Sequence, residues 1–439
     1  MLKTKEYLTE LAEKSINKAK KLGATDVEVS LGNSISDTIN FRDKKIEYSD
    51  RSETLSLGLT TYINKKKSNV STSNFDERNL ENLIQRCVDY SKISPEDENA
   101  GLPDKKNLEK KSIDLDLYDS TILKHEFKKN FLKEMEEELF SNPKIKNSNG
   151  SSFSEHKSNF IFANSDGFCD GYQTSNFSVF CEALAEDNGL MERDYEMSIN
   201  RFSNKLDKPK KIGKLAADKA CKRLNAKKIK SGKMPIIFDK RVAKSLLSTF
   251  GSAISGAAFV RGTSFLKNSI GEKIFNSEIT IIDDPLIKRA LGSQSFDGEG
   301  VKNNKIKLVE NGVLNEIFLD TYNSKILGMQ TNGRCGGSTN FFIQNGKVEI
   351  KKLFSEQKKA FFVKELIGRA GDITNGNYSV GASGMLIENG EETYPINEIT
   401  IAGNLNDMFK NLIIANDLEF KSSINTPTIL VDGMTIAGK

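Results

Sequence analysis

Apolar residues recur at helical spacing near the start of the chain. Leu8, Leu11, Ala12, Ile16, Ala19 and Leu22 fall on one face, and Gly23 follows as a natural stop. The period then changes to two. Val27, Val29 and Leu31 point one way while Asp26, Glu28 and Ser30 point the other, which predicts a half-buried strand. Ile35 to Phe41, Lys45 to Tyr48, Leu55 to Tyr62 and Ser68 to Ser73 read as further antiparallel strands with polar turns. Leu80, Leu83, Ile84, Cys87 and Val88 form a second helical stripe. Leu123, Phe127, Phe131 and Met135 form a third, ending before Asn142-Pro143. Strands return over Phe160 to Ala183, with a sharp turn at Asn164-Ser165-Asp166-Gly167, and a helix covers Lys214 to Leu224.

After Lys227-Lys228-Ile229-Lys230-Ser231-Gly232 the punctuation changes. One helix, Lys240 to Ala257, precedes a region rich in Asn-Gly pairs: Asn311-Gly312, Asn332-Gly333, Asn345-Gly346, Asn375-Gly376 and Asn389-Gly390. Asn-Gly favours tight hairpins because both residues accept positive φ. Strand-like runs flank the first pair, Lys305 to Val309 and Val313 to Phe318. The prediction is an α+β chain. Residues 1–228 form an α+β domain of antiparallel strands with flanking helices, and residues 229–439 a mostly antiparallel, sandwich- or barrel-like β domain with a few helices. The polar stretch 99–112 reads as a linker or surface loop. A chain of 439 residues also exceeds the size at which a single core stops growing.

Composition narrows the setting. A 37% hydrophobic and 28% charged chain with no apolar run near the ~20 residues of a membrane span is expected to be water-soluble and off the membrane. Met1-Leu2-Lys3-Thr4-Lys5-Glu6 lacks a secretion signal's apolar core, so a cytoplasmic location is expected. The 64 basic and 60 acidic residues are interspersed, which argues against a nucleic-acid partner. The five cysteines, Cys87, Cys169, Cys181, Cys221 and Cys335, include no Cys-x-x-Cys pair, against both a disulfide framework and a thiolate metal knuckle.

Candidate chemistry is sparse. A catalytic zinc commonly takes three protein ligands and a water, yet the chain has two histidines, His125 and His156. His125-Glu126 begins a His-Glu-x-x-His pattern, but Lys129 takes the place of the second histidine. Gly381-Ala382-Ser383-Gly384 falls one residue short of a nucleophile elbow, and Gly333-Arg334-Cys335-Gly336-Gly337-Ser338 lacks the end of a phosphate loop. Asp297-Gly298-Glu299-Gly300 offers carboxylates to a hard cation, but Val301 breaks the calcium-loop pattern, and a turn into a hairpin is the simpler reading.

Several stretches in order carry a resemblance. They are Ser295-Phe296-Asp297-Gly298-Glu299-Gly300-Val301, Gly376-Asn377-Tyr378-Ser379-Val380-Gly381-Ala382-Ser383-Gly384, Ile387-Glu388-Asn389-Gly390, Glu398-Ile399-Thr400-Ile401-Ala402-Gly403-Asn404-Leu405 and Leu430-Val431-Asp432-Gly433-Met434-Thr435-Ile436-Ala437-Gly438. Gly23-Ala24-Thr25-Asp26-Val27-Glu28-Val29 and Asn164-Ser165-Asp166-Gly167 agree more loosely. Together they resemble the TldD/PmbA peptidase family, in its PmbA (TldE) branch.

The resemblance implies a cytoplasmic heterodimer of homologous subunits that degrades unfolded peptides and processes peptide precursors. The TldD-type partner would hold zinc through a His-Glu-x-x-x-His helix and a cysteine, and this chain would bind none. Anchored on Gly262-Thr263-Ser264, Leu247 and Ser252 stand in place of the two histidines and Ser248 in place of the glutamate, while Lys421-Ser422-Ser423 offers no cysteine. None of these can act as zinc ligand or general base. Asp297, Glu299, Asn377 and Ser379 are expected to face the peptide chamber or the partner. Small residues at Gly251, Ser252, Ala253, Ser255 and Gly256 suit either another backbone approaching or tight packing on the chain's own sheet. The alternative function is a homodimeric binding or regulatory protein without peptidase activity, acting on gyrase-directed peptides or toxin–antitoxin systems. A third reading is an enzyme with a carboxylate-bound metal near Asp297 and Glu299.

Overall fold

The computed structural model describes residues 2–438. Helix α1 (Lys5–Lys21) opens at Thr4, whose side chain accepts the Tyr7 N–H, and closes with Lys18, Lys20 and Lys21 near its negative end. Strands β1 (Asp26–Arg42), β2 (Lys45–Ile63) and β3 (Lys66–Thr72) follow, then α2 (Glu77–Ile93) and α3 (His125–Leu139). Next come β4 (Ile145–Asn147), β5 (Ser151–Asn164), β6 (Cys169–Asp187), β7 (Leu190–Asn200) and α4 (Pro209–Lys222). The strands make one antiparallel seven-stranded sheet in the order β3-β2-β1-β5-β6-β4, with β7 also on β6.

The hydrophobic pattern divides β1 and β2 into two strands each, whereas the structure has single strands of 17 and 19 residues. In β1 alternation fails where polar residues occupy core-facing positions, and in β2 residues 47–54 are exposed on both faces. Asn33 is held by the Lys3 N–H and donates to Thr54 O. Asp37 receives the buried Lys128 of α3 at 2.9 Å, and Lys128 also reaches Glu155 at 2.8 Å. This polar stripe separates two apolar clusters on the same face. Leu8, Val29, Leu59 and Ile84 pack under α1 and α2, and Phe41, Leu132, Phe153 and Ile212 under α3 and α4.

The helices α3 and α4 meet at Gly213, where an added Cβ would lie 2.2 Å from Met135 O. An exposed helix position ordinarily gains about 1 kcal/mol from Gly→Ala. Here Gly213→Ala should lose about 1–3 kcal/mol by overpacking. A gain in urea-unfolding free energy would contradict the close-packing account.

The opposite face of the sheet carries hydroxyls rather than a core. Ser34 bonds Thr54 at 2.7 Å, Thr38 donates to Ser154 at 3.0 Å, and Ser158 bonds Thr174 at 2.8 Å. Its lower end is apolar, where Phe162 and Phe168 receive Phe296 from the second half of the chain, and Phe180 meets Tyr195 near its other end.

That second half starts with β8 (Gly232–Phe238), α5 (Lys240–Ala253) and α6 (Gly256–Val260). It continues through β9 (Ile281–Asp283), β10 (Ile306–Glu310), β11 (Val313–Leu314), α7 (Thr321–Ile326), β12 (Phe341–Ile343) and α8 (Ile350–Ser355). The last elements are β13 (Lys359–Ile367), β14 (Asn377–Glu388), β15 (Glu391–Asn404), α9 (Leu405–Lys410), β16 (Leu412–Ile414), β17 (Ile424–Asn425) and β18 (Ile429–Ala437). Five strands run β15-β14-β13-β8-β18, and β18 pairs back onto β15 through Thr400↔Ala437, so the ring closes. A smaller sheet, β11-β10-β9-β12-β17, lies beside it. Val242, Leu246 and Phe250 of α5 join the core that both sheets share, with Phe238, Phe341 and Phe361. The architecture is α+β, mostly of strands.

Two local expectations are corrected. The helix placed at Lys240 to Ala257 stops at Ala253, and Ser255 caps a new short helix by accepting the Ala258 N–H. Of the five Asn-Gly pairs, Asn311-Gly312 and Asn389-Gly390 have both residues at positive φ and turn hairpins. Asn345 instead accepts the Leu418 N–H and Asn375 the Asn377 N–H, so those asparagines order loops.

The stretch 99–112, read as a linker or surface loop, starts a strap fastened to both halves. Glu109 N–H donates to Gly300 O at 2.9 Å and Ser112 N–H to Asp170 at 2.8 Å. Beyond it, Leu117 O accepts the Ser175 N–H and Leu115 O the Arg289 N–H. A second seam is ionic: Arg241 reaches Asp194 at 2.7 Å, and Arg223 bonds Ser383 at 2.8 Å while pairing with Glu365.

Candidate functional site

The Asp297 loop sits where the two halves meet. A bridge between Phe296 and Lys302 pinches it into a tight turn. Asp297 is 1% exposed and organises this turn with its own carboxylate. One oxygen accepts the N–H groups of Glu299 (3.0 Å) and Val301 (2.9 Å), the other that of Cys335 (2.9 Å). Three backbone donors therefore hold this carboxylate in place. Burial, and next the nearby Glu299 charge, push its pKa up to about 7 against those bonds.

Glu299 accepts the Thr321 N–H at 3.0 Å, at the first turn of α7, and burial raises its pKa as well. Glu28 of β1 belongs to the same cluster from the sheet side. Its carboxylate takes the Tyr62 hydroxyl at 3.0 Å, and burial followed by repulsion from Glu299 pushes it up to about 7. Lys67 and Lys325 partly offset this. The Cys335 thiol is driven upward by burial and by Glu299, so it stays protonated and is no nucleophile at neutral pH. Burial and mutual repulsion thus raise the pKa values of three carboxyl groups gathered at the seam. Among the described residues, no group of three or more His, Cys, Asp and Glu side chains is placed to hold a metal ion.

The remaining residues singled out by sequence lie elsewhere. Asn377 and Ser379 are exposed on β14, between the inward-facing Tyr378 and Val380, and no hydrogen bond links them to Asp297 or Glu299. On α5, Leu247 is buried in the core at 2% exposure, whereas Ser248 and Ser252 are exposed. The Ser252 hydroxyl bonds Ser248 O at 3.1 Å within its own helix. A hydrocarbon turned inward and two hydroxyls do not make a donor set for zinc. Lys421 and Ser422 spend their N–H groups on the Asn425 side chain. Of the small residues on α5, Gly251 serves the chain's own packing, since a Cβ there would stand 2.9 Å from the Phe341 ring. His125 opens α3 and His156 lies on β5, both exposed.

Glu28 and Tyr62 escaped the sequence search for chemistry. Glu28 alternates as an ordinary outward strand residue, and its one distinguishing signal is its place in the Gly23–Val29 motif.

Comparison with known proteins agrees along the chain. Residues 231–438 match the PmbA/TldA metallopeptidase C-terminal domain, 118–224 the central domain and 27–91 domain 1. The Metalloprotease PmbA homolog of Haemophilus influenzae is 33% identical over 442 residues, covering 100% of this chain and 98% of that protein. A solved structure from Bacteroides thetaiotaomicron, described as a candidate modulator of DNA gyrase, superposes with a TM-score of 0.92 at 28% identity, covering 98% of each chain. TldE from Thermococcus kodakarensis shares the fold, with a TM-score of 0.83 at 22% identity over 97% of this chain and 99% of that one. Among the described residues no helix is long and apolar enough to cross a membrane. With three consecutive family domains matched and a full-length relative at one-third identity, the chain belongs to the PmbA/TldD metallopeptidase family, in its PmbA branch.

Proposed function

We propose that this chain is the zinc-less subunit of a PmbA/TldD-type metallopeptidase assembly, and that a TldD-type partner supplies the catalytic zinc. The observation that carries the reading is α5. It keeps a peptidase family's fold while Leu247 fills the core and Ser248 and Ser252 offer only hydroxyls. This chain's contribution is then the wall against which peptide lies. The hydroxyl-bearing sheet face suits that task, because it is wettable and nearly without charge along Ser34, Thr38, Ser154 and Ser158. Such a surface leaves recognition to main-chain hydrogen bonding, which accepts many sequences.

The test is reconstitution in the cytoplasm-like conditions expected for the assembly. Purified alone, the chain should leave an unfolded peptide intact. Mixed with a homologous subunit carrying His-Glu-x-x-x-His, it should co-purify as a heterodimer, contain zinc in the partner, and cleave in a chelator-sensitive way. Chelator-sensitive cleavage by this chain alone would end the proposal. A homodimeric regulatory protein is the second reading, favoured by the gyrase-modulator description of the Bacteroides structure. It predicts a stable homodimer that binds peptide and gains no hydrolysis from the partner.

A further inference from the structure

The hydroxyl face of the seven-stranded sheet holds one buried cation that the seam chemistry leaves aside. Arg201 directly follows β7 and is 8% exposed. Asn200 stands opposite Phe177, which brings Arg201 alongside Asn176, and Asn176 faces His156 across the β5–β6 ladder. The guanidinium donates to Ser175 O (3.2 Å), Ala290 O (3.3 Å) and Leu291 O (2.6 Å). All three acceptors are neutral carbonyls.

The other deeply buried cations have counter-ions: Lys128 has Asp37 and Glu155, and Arg334 has Asp283. Arg201 forms no ion pair among the described residues, and its neighbour Tyr172 is an uncharged phenol at neutral pH, pushed up to about 12 by burial. A buried charge without an opposite charge is expensive. A guanidinium has five N–H donors, so three carbonyls leave capacity for an anion. Two neighbours point the same way. Asn176 Oδ1 is buried without a hydrogen-bond partner and could take a donor such as a peptide N–H. His156 is exposed and close enough for the Arg201 charge, after burial, to hold its pKa down.

We propose that Arg201, flanked by Asn176, His156 and Tyr172, is a carboxylate-binding subsite at the β6–β7 side of the hydroxyl sheet face. Its ligand is a carboxylate of an extended peptide, either the C-terminus or an acidic side chain. The proposal rests on the peptide-wall reading above and adds a polarity to it: a carboxylate end would anchor at the β6–β7 side.

The chain's two histidines make the test direct, because His125 at the start of α3 serves as the internal reference. Histidine ring resonances of the whole protein are followed during titration with one short, unstructured, acetylated peptide. It is supplied as the free acid, as the C-terminal amide, and as an amide containing one internal Glu. The free acid should bind about tenfold tighter than the plain amide, the size expected of charge-assisted hydrogen bonds. It should also move His156 and leave His125 in place. A response to the Glu-containing amide assigns the subsite to acidic side chains, and a response to the free acid alone assigns it to C-termini. Arg201→Gln should abolish the preference, with Arg201→Lys retaining part of it. If acid and amide bind equally and His156 does not move, the subsite is wrong while the peptide wall stands. If none of the three peptides binds, both fall. The comparison within the wild-type protein requires no variant to fold.

Discussion

Asp283→Asn should cost the fold about 3–5 kcal/mol, the loss typical of a buried ion pair deprived of one partner. Asp283 and Arg334 both have side chains at 0% exposure and meet at 2.6 Å. Asp283 also accepts the Thr339 N–H and hydroxyl, each at 2.7 Å. Arg334 donates to the carbonyls of Asn332, Gly333 and Asn304, so this one guanidinium shapes the glycine-rich loop that carries Cys335. Burial raises the Asp283 pKa even beside the cation. With an amide in its place, the Arg334 charge keeps its burial and loses its compensation. Adding Arg334→Met should recover part of the loss, because the unpaired charge disappears, but not all of it, because four carbonyls, that of Asp283 included, lose their donor. Urea unfolding of the two single variants and the double variant measures both claims. A loss under about 1 kcal/mol for Asp283→Asn would remove this pair from the list of what holds the loop.

Glu28→Gln should do the reverse, stabilising the protein above neutral pH. In the folded chain Glu28 keeps its proton to about 7, against an ordinary value of 4.5. Between those values the native state binds more protons than the unfolded state, so stability falls as pH rises. The contribution of the neutral acid is complete below the unfolded pKa and is lost as pH climbs through the folded one. A displacement of that size corresponds to ~3 kcal/mol, which an uncharged glutamine would regain at pH 8 while still accepting the Tyr62 hydroxyl. Asp297→Asn should not copy this gain. Asp297 takes three N–H donors on two oxygens, and an amide has one oxygen to offer. Thermal melts of wild type and Glu28→Gln at acid and alkaline pH are sufficient. Equal melting temperatures at pH 8 would mean that Glu28 is already comfortably ionised.

The elements that sequence periodicity finds best are those that pair a core face with water. The stripe Leu8 to Leu22 and the alternation Val27 to Leu31 both gave elements where the pattern placed them. Periodicity failed where a helix-facing position of β1 is polar and where both faces of β2 are exposed. Asn33 and Asp37 face the helices, yet they are satisfied by Thr54 O and by Lys128, partners far away in the sequence. The closed ring was beyond reach for a related reason, since nothing local says that β18 returns to β15. The candidate site was half legible. The Asp297 motif stood out, but its meaning depends on Glu28, and only the folded chain sets those carboxylates near one another. Arg201 carried no signal at all, because an arginine without a counter-ion looks like any other arginine in a string of letters.

Ring closure also sets a timetable for synthesis. β8 is the first strand of the ring to leave the ribosome, but its neighbours β13 and β18 begin only at Lys359 and Ile429. Throughout that interval Met234 to Phe238 is a nascent apolar ribbon with both edges unsatisfied. The seven-stranded sheet needs nothing after Asn200 to complete its ladder, so it can assemble while its neighbour waits. Elongation stalled between these points would leave a sound amino-terminal half tethered to a segment prone to stick to its own kind.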